Sequence, residues 1–115
     1  MYTILHNSRC GKSRDAIKLL EELDVDYQVR EYLKDELSFD ELKVIIKALN
    51  VNPIEIVRTN ELIWKDNFKG KDFTDDELVK IMIENPKLIQ RPIVFKEGVG
   101  IIGRPVELIK DFIKK

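Results

Sequence analysis

Residues 2–32 read YTILHNSRCGKSRDAIKLLEELDVDYQVREY. The first four, Tyr2-Thr3-Ile4-Leu5, form a β-rich run that breaks at the turn formers Asn7-Ser8. Ala16, Leu19, Leu20 and Leu23 then recur at i, i+3, i+4 and i+7, which predicts a helix over about residues 12–23. Tyr27, Val29 and Glu31 alternate with Gln28, Arg30 and Tyr32, the period-two pattern of a strand. Strand, helix and strand in this order make a βαβ unit, and its two strands are expected to lie parallel.

The rest of the chain follows from local signals. Ser38 and Glu41 have the spacing of a capping box, and Leu42, Ile45, Ile46 and Leu49 continue as an apolar helical stripe. Asn52-Pro53 opens a connection that reads as a further short helix, although the periodicity of NPIEIVRTNELIWKDN (52–67) is mixed. Thr74 and Glu77 make a second capping box ahead of Leu78, Ile81 and Met82, and Asn85-Pro86 ends that helix. Pro92-Ile93-Val94-Phe95 and Val99-Gly100-Ile101-Ile102 read as two strands joined by a hairpin at Lys96-Glu97-Gly98. Pro105 suits the first turn of a last helix whose inward positions are Val106, Ile109, Phe112 and Ile113. The order β-α-β, helices, β-β-α predicts a mixed α/β sheet and resembles the thioredoxin-like fold with a helical insertion.

The chain has 115 residues, a length expected to form one domain over residues 1–115. Hydrophobic residues at 43% and charged residues at 36% fit a soluble globular protein, and a net charge of −1 gives no general affinity for nucleic acid or membrane. No apolar run reaches the ~18–20 residues of a spanning helix. The N-terminus shows no basic region with a cleavage site, so a cytoplasmic protein is expected. A single cysteine, Cys10, excludes an intrachain disulfide and leaves a free thiol.

The segment HNSRCGKSR (6–14) ends in Gly11-Lys12-Ser13, the tail of a phosphate-binding loop. That loop needs an earlier glycine at position 6, where His6 stands, and no magnesium motif accompanies it. A Cys-x5-Arg phosphatase loop needs arginine at position 16, where Ala16 stands. A Cys-x-x-Cys redox pair needs a thiol at position 13, where Ser13 stands. What remains is a free thiol that either packs as a small hydrophobe or reacts, and neighbours of Arg, Gly, Lys and Ser favour the reactive reading. Cys10 falls between a strand end and the first turn of a helix, where orphan N–H groups and the helix dipole favour a thiolate. Arg9, Lys12 and Arg14 add positive charge, and His6 at the strand end can orient the loop. Arg58, Arg91 and Arg104 are candidate oxyanion ligands, since a guanidinium binds tetrahedral anions through a planar fork. Arg91 and Arg104 each precede a proline, which fixes the backbone that carries them, and Pro92 is a candidate cis proline. No metal site is evident.

HNSRCGKSR, Arg58, FTDDELVKIMIENPKLIQRPIV (73–94) and GRPVE (103–107), in this order and spacing, resemble the glutaredoxin-coupled arsenate reductases of the ArsC family. The resemblance spans nearly the whole chain and is shared, at the level of fold, with Spx-type transcription regulators. It implies that Cys10 is the nucleophile attacking arsenic, that Arg58, Arg91 and Arg104 hold the oxyanion, that His6 assists the cysteine, and that Ser13 hydrogen-bonds the thiolate. It further implies a covalent cysteine–arsenic intermediate, glutathione as co-substrate, glutaredoxin as partner and no bound cofactor. Ser8-Arg9 stand where the family has Pro-Ala, and Lys12 where a small polar residue is common. Two other functions fit the same scaffold: an Spx-like regulator binding RNA polymerase, and a glutathione-dependent thiol oxidoreductase acting on another substrate. Ser13 removes the redox pair that many Spx-type regulators carry.

Overall fold

The computed structural model describes residues 1–114. Strand β1 (Tyr2–Leu5) leads into α1 (Gly11–Glu22) and β2 (Tyr27–Arg30), followed by α2 (Phe39–Leu49), α3 (Leu62–Asn67) and α4 (Asp75–Glu84). Short 3-10 turns at Pro53–Ile56 and Pro86–Leu88 flank α3 and α4. The chain returns to the sheet as β3 (Ile93–Lys96) and β4 (Val99–Ile102) and ends in α5 (Glu107–Lys114). The sheet order is β2-β1-β3-β4, with β1 parallel to β2 and both other pairings antiparallel. This is the mixed thioredoxin-like arrangement expected from the sequence.

The pleat divides the core into two. Ile4 pairs with Val94, and both pack on one face with Ala16 and Leu20 of α1 and Ile109 of α5. Leu5 pairs with Ile93, and both face the other side with Leu42, Ile45 and Met82 of α2 and α4. Neighbouring residues thus serve opposite layers, as the two-residue strand period requires. Both capping boxes are closed. The Ser38 hydroxyl accepts from the Glu41 N–H at 3.1 Å while Glu41 accepts from the Ser38 N–H at 3.0 Å, and Thr74 and Glu77 do the same at 3.2 and 2.8 Å. Among the described residues no helix is long and apolar enough to cross a membrane.

Four boundaries differ from the sequence reading. The alternation of β2 runs to Tyr32, but the strand stops at Arg30 because the Glu31 carbonyl accepts from the Lys34 and Asp35 N–H groups at 2.9 and 2.8 Å. The chain therefore turns before Tyr32 can join a ladder, and Tyr32 enters the core instead. The segment after Asn52 is a single 3-10 turn, and the true helix there is α3, whose one buried residue is Trp64. Lys96 stays paired with Val99, so the hairpin turn is Glu97-Gly98 alone, with Gly98 at φ +79°. Pro105 lies before α5 rather than inside it, in a turn where the Leu108 N–H donates to the Pro105 carbonyl at 3.1 Å.

Candidate active site

The site begins at the junction of β1 and α1. Cys10 is the N-cap of α1 in extended backbone (φ −96°, ψ 120°), with no side-chain cap and no acidic residue in the first turn. The first-turn N–H groups are therefore left to the sulfur. The loop before it is closed by the Cys10 N–H donating to the Asn7 carbonyl at 2.9 Å and by the Arg9 N–H donating to Asn7 Oδ1 at 3.0 Å. Arg14 anchors the loop from the helix, donating to the Ser8 carbonyl at 3.0 Å.

Beneath this loop Ser13 is fully buried. Its hydroxyl accepts from the Asn7 N–H at 3.1 Å and meets His6 Nδ1 at 3.1 Å. The part of Ser13 that faces the sulfur is its backbone N–H. Ser13 and Cys10 are thus together through the main chain, while the Ser13 hydroxyl is engaged with Asn7 and His6. His6 reaches Cys10 only by way of Ser13. Burial lowers the His6 pKa, opposed by the charge of Glu31 and the contact with Ser13, so the ring is neutral at pH 7.

Cys10 is half-buried, and burial alone would push its thiol up. That effect is outweighed by the Ser13 N–H, by the Arg91 guanidinium as donor and as charge, and by the Lys12 N–H. The net shift is downward, toward the thiolate.

The arginines arrive from the far end of the chain. An isolated bridge between Val57 and Ile89 zips two distant segments together. The Arg58 N–H donates to the Leu88 carbonyl at 2.6 Å and the Gln90 N–H to the Ile56 carbonyl at 2.8 Å. Arg58 and Arg91 thereby line one cleft of about 380 Å³ with His6, Asn7, Ser8 and Arg9. Arg104 is not in that cleft. It lines a neighbouring one of about 360 Å³ with Arg58, Glu55 and Gln90, so Arg58 stands between the two. The Arg91–Pro92 and Arg104–Pro105 bonds are both cis.

Two features were not read from the sequence. Glu61 pairs with Arg58 Nη1, leaving that guanidinium already engaged, and the i,i+3 spacing was its only signal. Tyr32 carries its hydroxyl, buried and without a partner among the described residues, into the charge field of Arg91, Arg58 and Cys10. Among the described residues no cluster of three or more His, Cys, Asp or Glu could hold a metal ion.

The model of the ArsC family matches residues 5–112. The chain is 36% identical over 112 residues to YfgD of Escherichia coli strain K12, covering 96% of this chain and 94% of that one. It is 34% identical over 112 residues to an arsenate reductase of Haemophilus influenzae, with 96% and 97% covered. Among solved structures, an arsenate reductase from Vibrio cholerae matches with a TM-score of 0.89 at 38% identity, over 96% of this chain and 95% of that one.

Proposed function

The chain belongs to the ArsC family, and from that premise we propose that it reduces arsenate to arsenite at Cys10. The observation that carries the reading is that Arg91 lines one cleft with Arg58 and with His6 to Arg9 of the loop leading into Cys10, and that its guanidinium helps to lower the Cys10 thiol pKa. A thiolate and an arsenate anion repel each other. The Arg91 guanidinium, the Arg58 N–H groups not taken by Glu61 and the first-turn N–H groups offset that repulsion and stabilise the charge that develops on the arsenic oxygens.

In the proposed reaction the Cys10 thiolate attacks arsenic. A sulfur–arsenic bond forms and an arsenate oxygen leaves, protonated, as water. The thiolate of glutathione then attacks the Cys10 sulfur. The sulfur–arsenic electron pair passes to arsenic, which goes from arsenic(V) to arsenic(III) and departs as arsenite. A disulfide between Cys10 and glutathione remains, and glutaredoxin reduces it. The outside thiol is required because the chain has one cysteine. In this scheme His6 holds Ser13 in place, Ser13 presents its N–H to the sulfur, and Arg58 and Arg91 bind the oxyanion. Arg104 serves the outer side of the site, next to Arg58. The reaction belongs in the cytoplasm, where reduced glutathione is kept.

The test is a coupled assay of NADPH oxidation with arsenate, glutathione, glutaredoxin and glutathione reductase. Arsenate-dependent turnover is expected in the wild type and none in Cys10→Ser. Arg91→Ala is expected to lose about 100- to 1,000-fold, the usual cost of removing one preorganised donor to a developing anion. A folded wild type without arsenate-dependent turnover would refute the proposal.

A further inference from the structure

Two buried polar groups near Cys10 have no hydrogen-bond partner among the described residues: the Tyr32 hydroxyl and Arg91 Nε. Arg91 bears on the Tyr32 hydroxyl both as a charge and as a side-chain neighbour, and the two unpartnered groups are of complementary kind. A phenol oxygen accepts, and Nε–H donates. Tyr32 is 1% exposed, so water does not reach its hydroxyl. An unpaired buried polar group is costly, and two that adjoin are relieved by a single bond. The ring is fixed independently of the hydroxyl, because it packs with Leu37, Met82 and Ile89 in the larger core.

We propose that Tyr32 is a positioning residue for Arg91: its phenol oxygen accepts from the Arg91 Nε–H and holds the guanidinium against Cys10. A turn of the guanidinium about its buried Nε closes this bond. It uses the inner nitrogen and leaves the two outer nitrogens free for the sulfur and for an oxyanion. Burial holds the phenol in its protonated, neutral form, against the opposing charges of Arg91 and Arg58. Tyr32 therefore orders Arg91 without adding a negative charge beside the thiolate. The inference rests on Cys10 being the reacting thiol and not on which oxyanion it attacks.

The test needs no substrate. The Cys10 pKa is read from the pH dependence of alkylation by iodoacetamide in wild type, Tyr32→Phe, Arg91→Ala and the double variant. Loss of one ordering hydrogen bond is expected to slow alkylation of Tyr32→Phe, at a pH below the thiol pKa, by about threefold to tenfold. Arg91→Ala is expected to slow it at least as much, and the double variant no more than Arg91→Ala alone. The urea midpoint of Tyr32→Phe is expected to fall modestly, because the ring stays packed while the buried Arg91 Nε–H loses its acceptor. Wild-type alkylation in Tyr32→Phe would overturn the assignment, as would an equal effect of Tyr32→Phe in the Arg91→Ala background. A lowered midpoint with unchanged alkylation would make the hydroxyl structural and overturn it too. A positive cycle beside absent arsenate turnover would leave the assignment standing while the proposed function fell.

Discussion

Replacing Ser13 by alanine separates what the residue does for the loop from what it does for the sulfur. Its hydroxyl is fully buried and holds two groups, the Asn7 N–H and His6 Nδ1, each at 3.1 Å. Alanine takes the space but leaves both groups unpaired. Each unpaired buried group costs about 1–3 kcal/mol, and Asn7 is only partly buried, so the total is about 2–4 kcal/mol. Native domains are stable by about 5–15 kcal/mol, so this is a large share. At about 4 °C per kcal/mol for a chain of this length, Tm is expected to fall by roughly 8–16 °C. The backbone N–H at position 13 survives the substitution, so the Cys10 thiol is expected to keep its lowered pKa within about half a unit. Urea and thermal unfolding followed by circular dichroism give the first quantity, and alkylation against pH gives the second. A stability loss below about 0.5 kcal/mol would refute the account of the buried bridge, since it would lie within the scatter of ordinary surface changes. A thiol returned to its ordinary range in a fully stable variant would show that the hydroxyl, not the N–H, serves the sulfur.

His6 gives a pH signature. Its pKa is lowered in the native protein, so below its ordinary value near 6.5 the unfolded chain binds the proton more readily than the native one. Stability is therefore expected to be full above pH 6.5 and to decline as pH falls toward 5, with a flatter slope in His6→Asn; parallel urea-midpoint curves for the two would contradict this. At Gly103 an added Cβ would meet Ile109 Cδ1 at 2.5 Å, Ile109 Cγ1 at 2.8 Å and Pro92 Cγ at 3.2 Å, and Ile109 is fully buried. Gly103→Ala is accordingly expected to cost about 1–3 kcal/mol in denaturant unfolding, and an unchanged midpoint would show that the α5 contact is loose.

The legible parts of the fold were those carried by local signals. Ser38, Glu41, Thr74 and Glu77 declare two helix starts within four-residue windows, and those windows close as read. The apolar stripe of α1 and the two apolar runs on either side of Gly98 needed no long-range information. The illegible parts depend on contacts between distant segments. Nothing near Glu31 announces that its carbonyl will capture Lys34 and Asp35 and end β2 early. Helix α3 buries only Trp64, so it has no stripe to read. The same division holds at the site. Cys10 at a strand-to-helix junction could be read from one loop. That Arg91 and not Arg104 stands beside it depends on the bridge of Val57 to Ile89, a pairing between segments with no shared motif. Tyr32 looked like one more residue of an alternating strand because the arginines that give its hydroxyl meaning come from elsewhere in the chain.

The most direct measurement of the central claim is the intact mass of the protein after incubation with arsenate and glutathione, with glutaredoxin left out. The expected result is a glutathione adduct on Cys10 that accumulates only when arsenate is present and is absent from Cys10→Ser. An adduct that forms equally without arsenate, or turnover that proceeds in the complete assay while no adduct ever forms, would contradict reduction through Cys10.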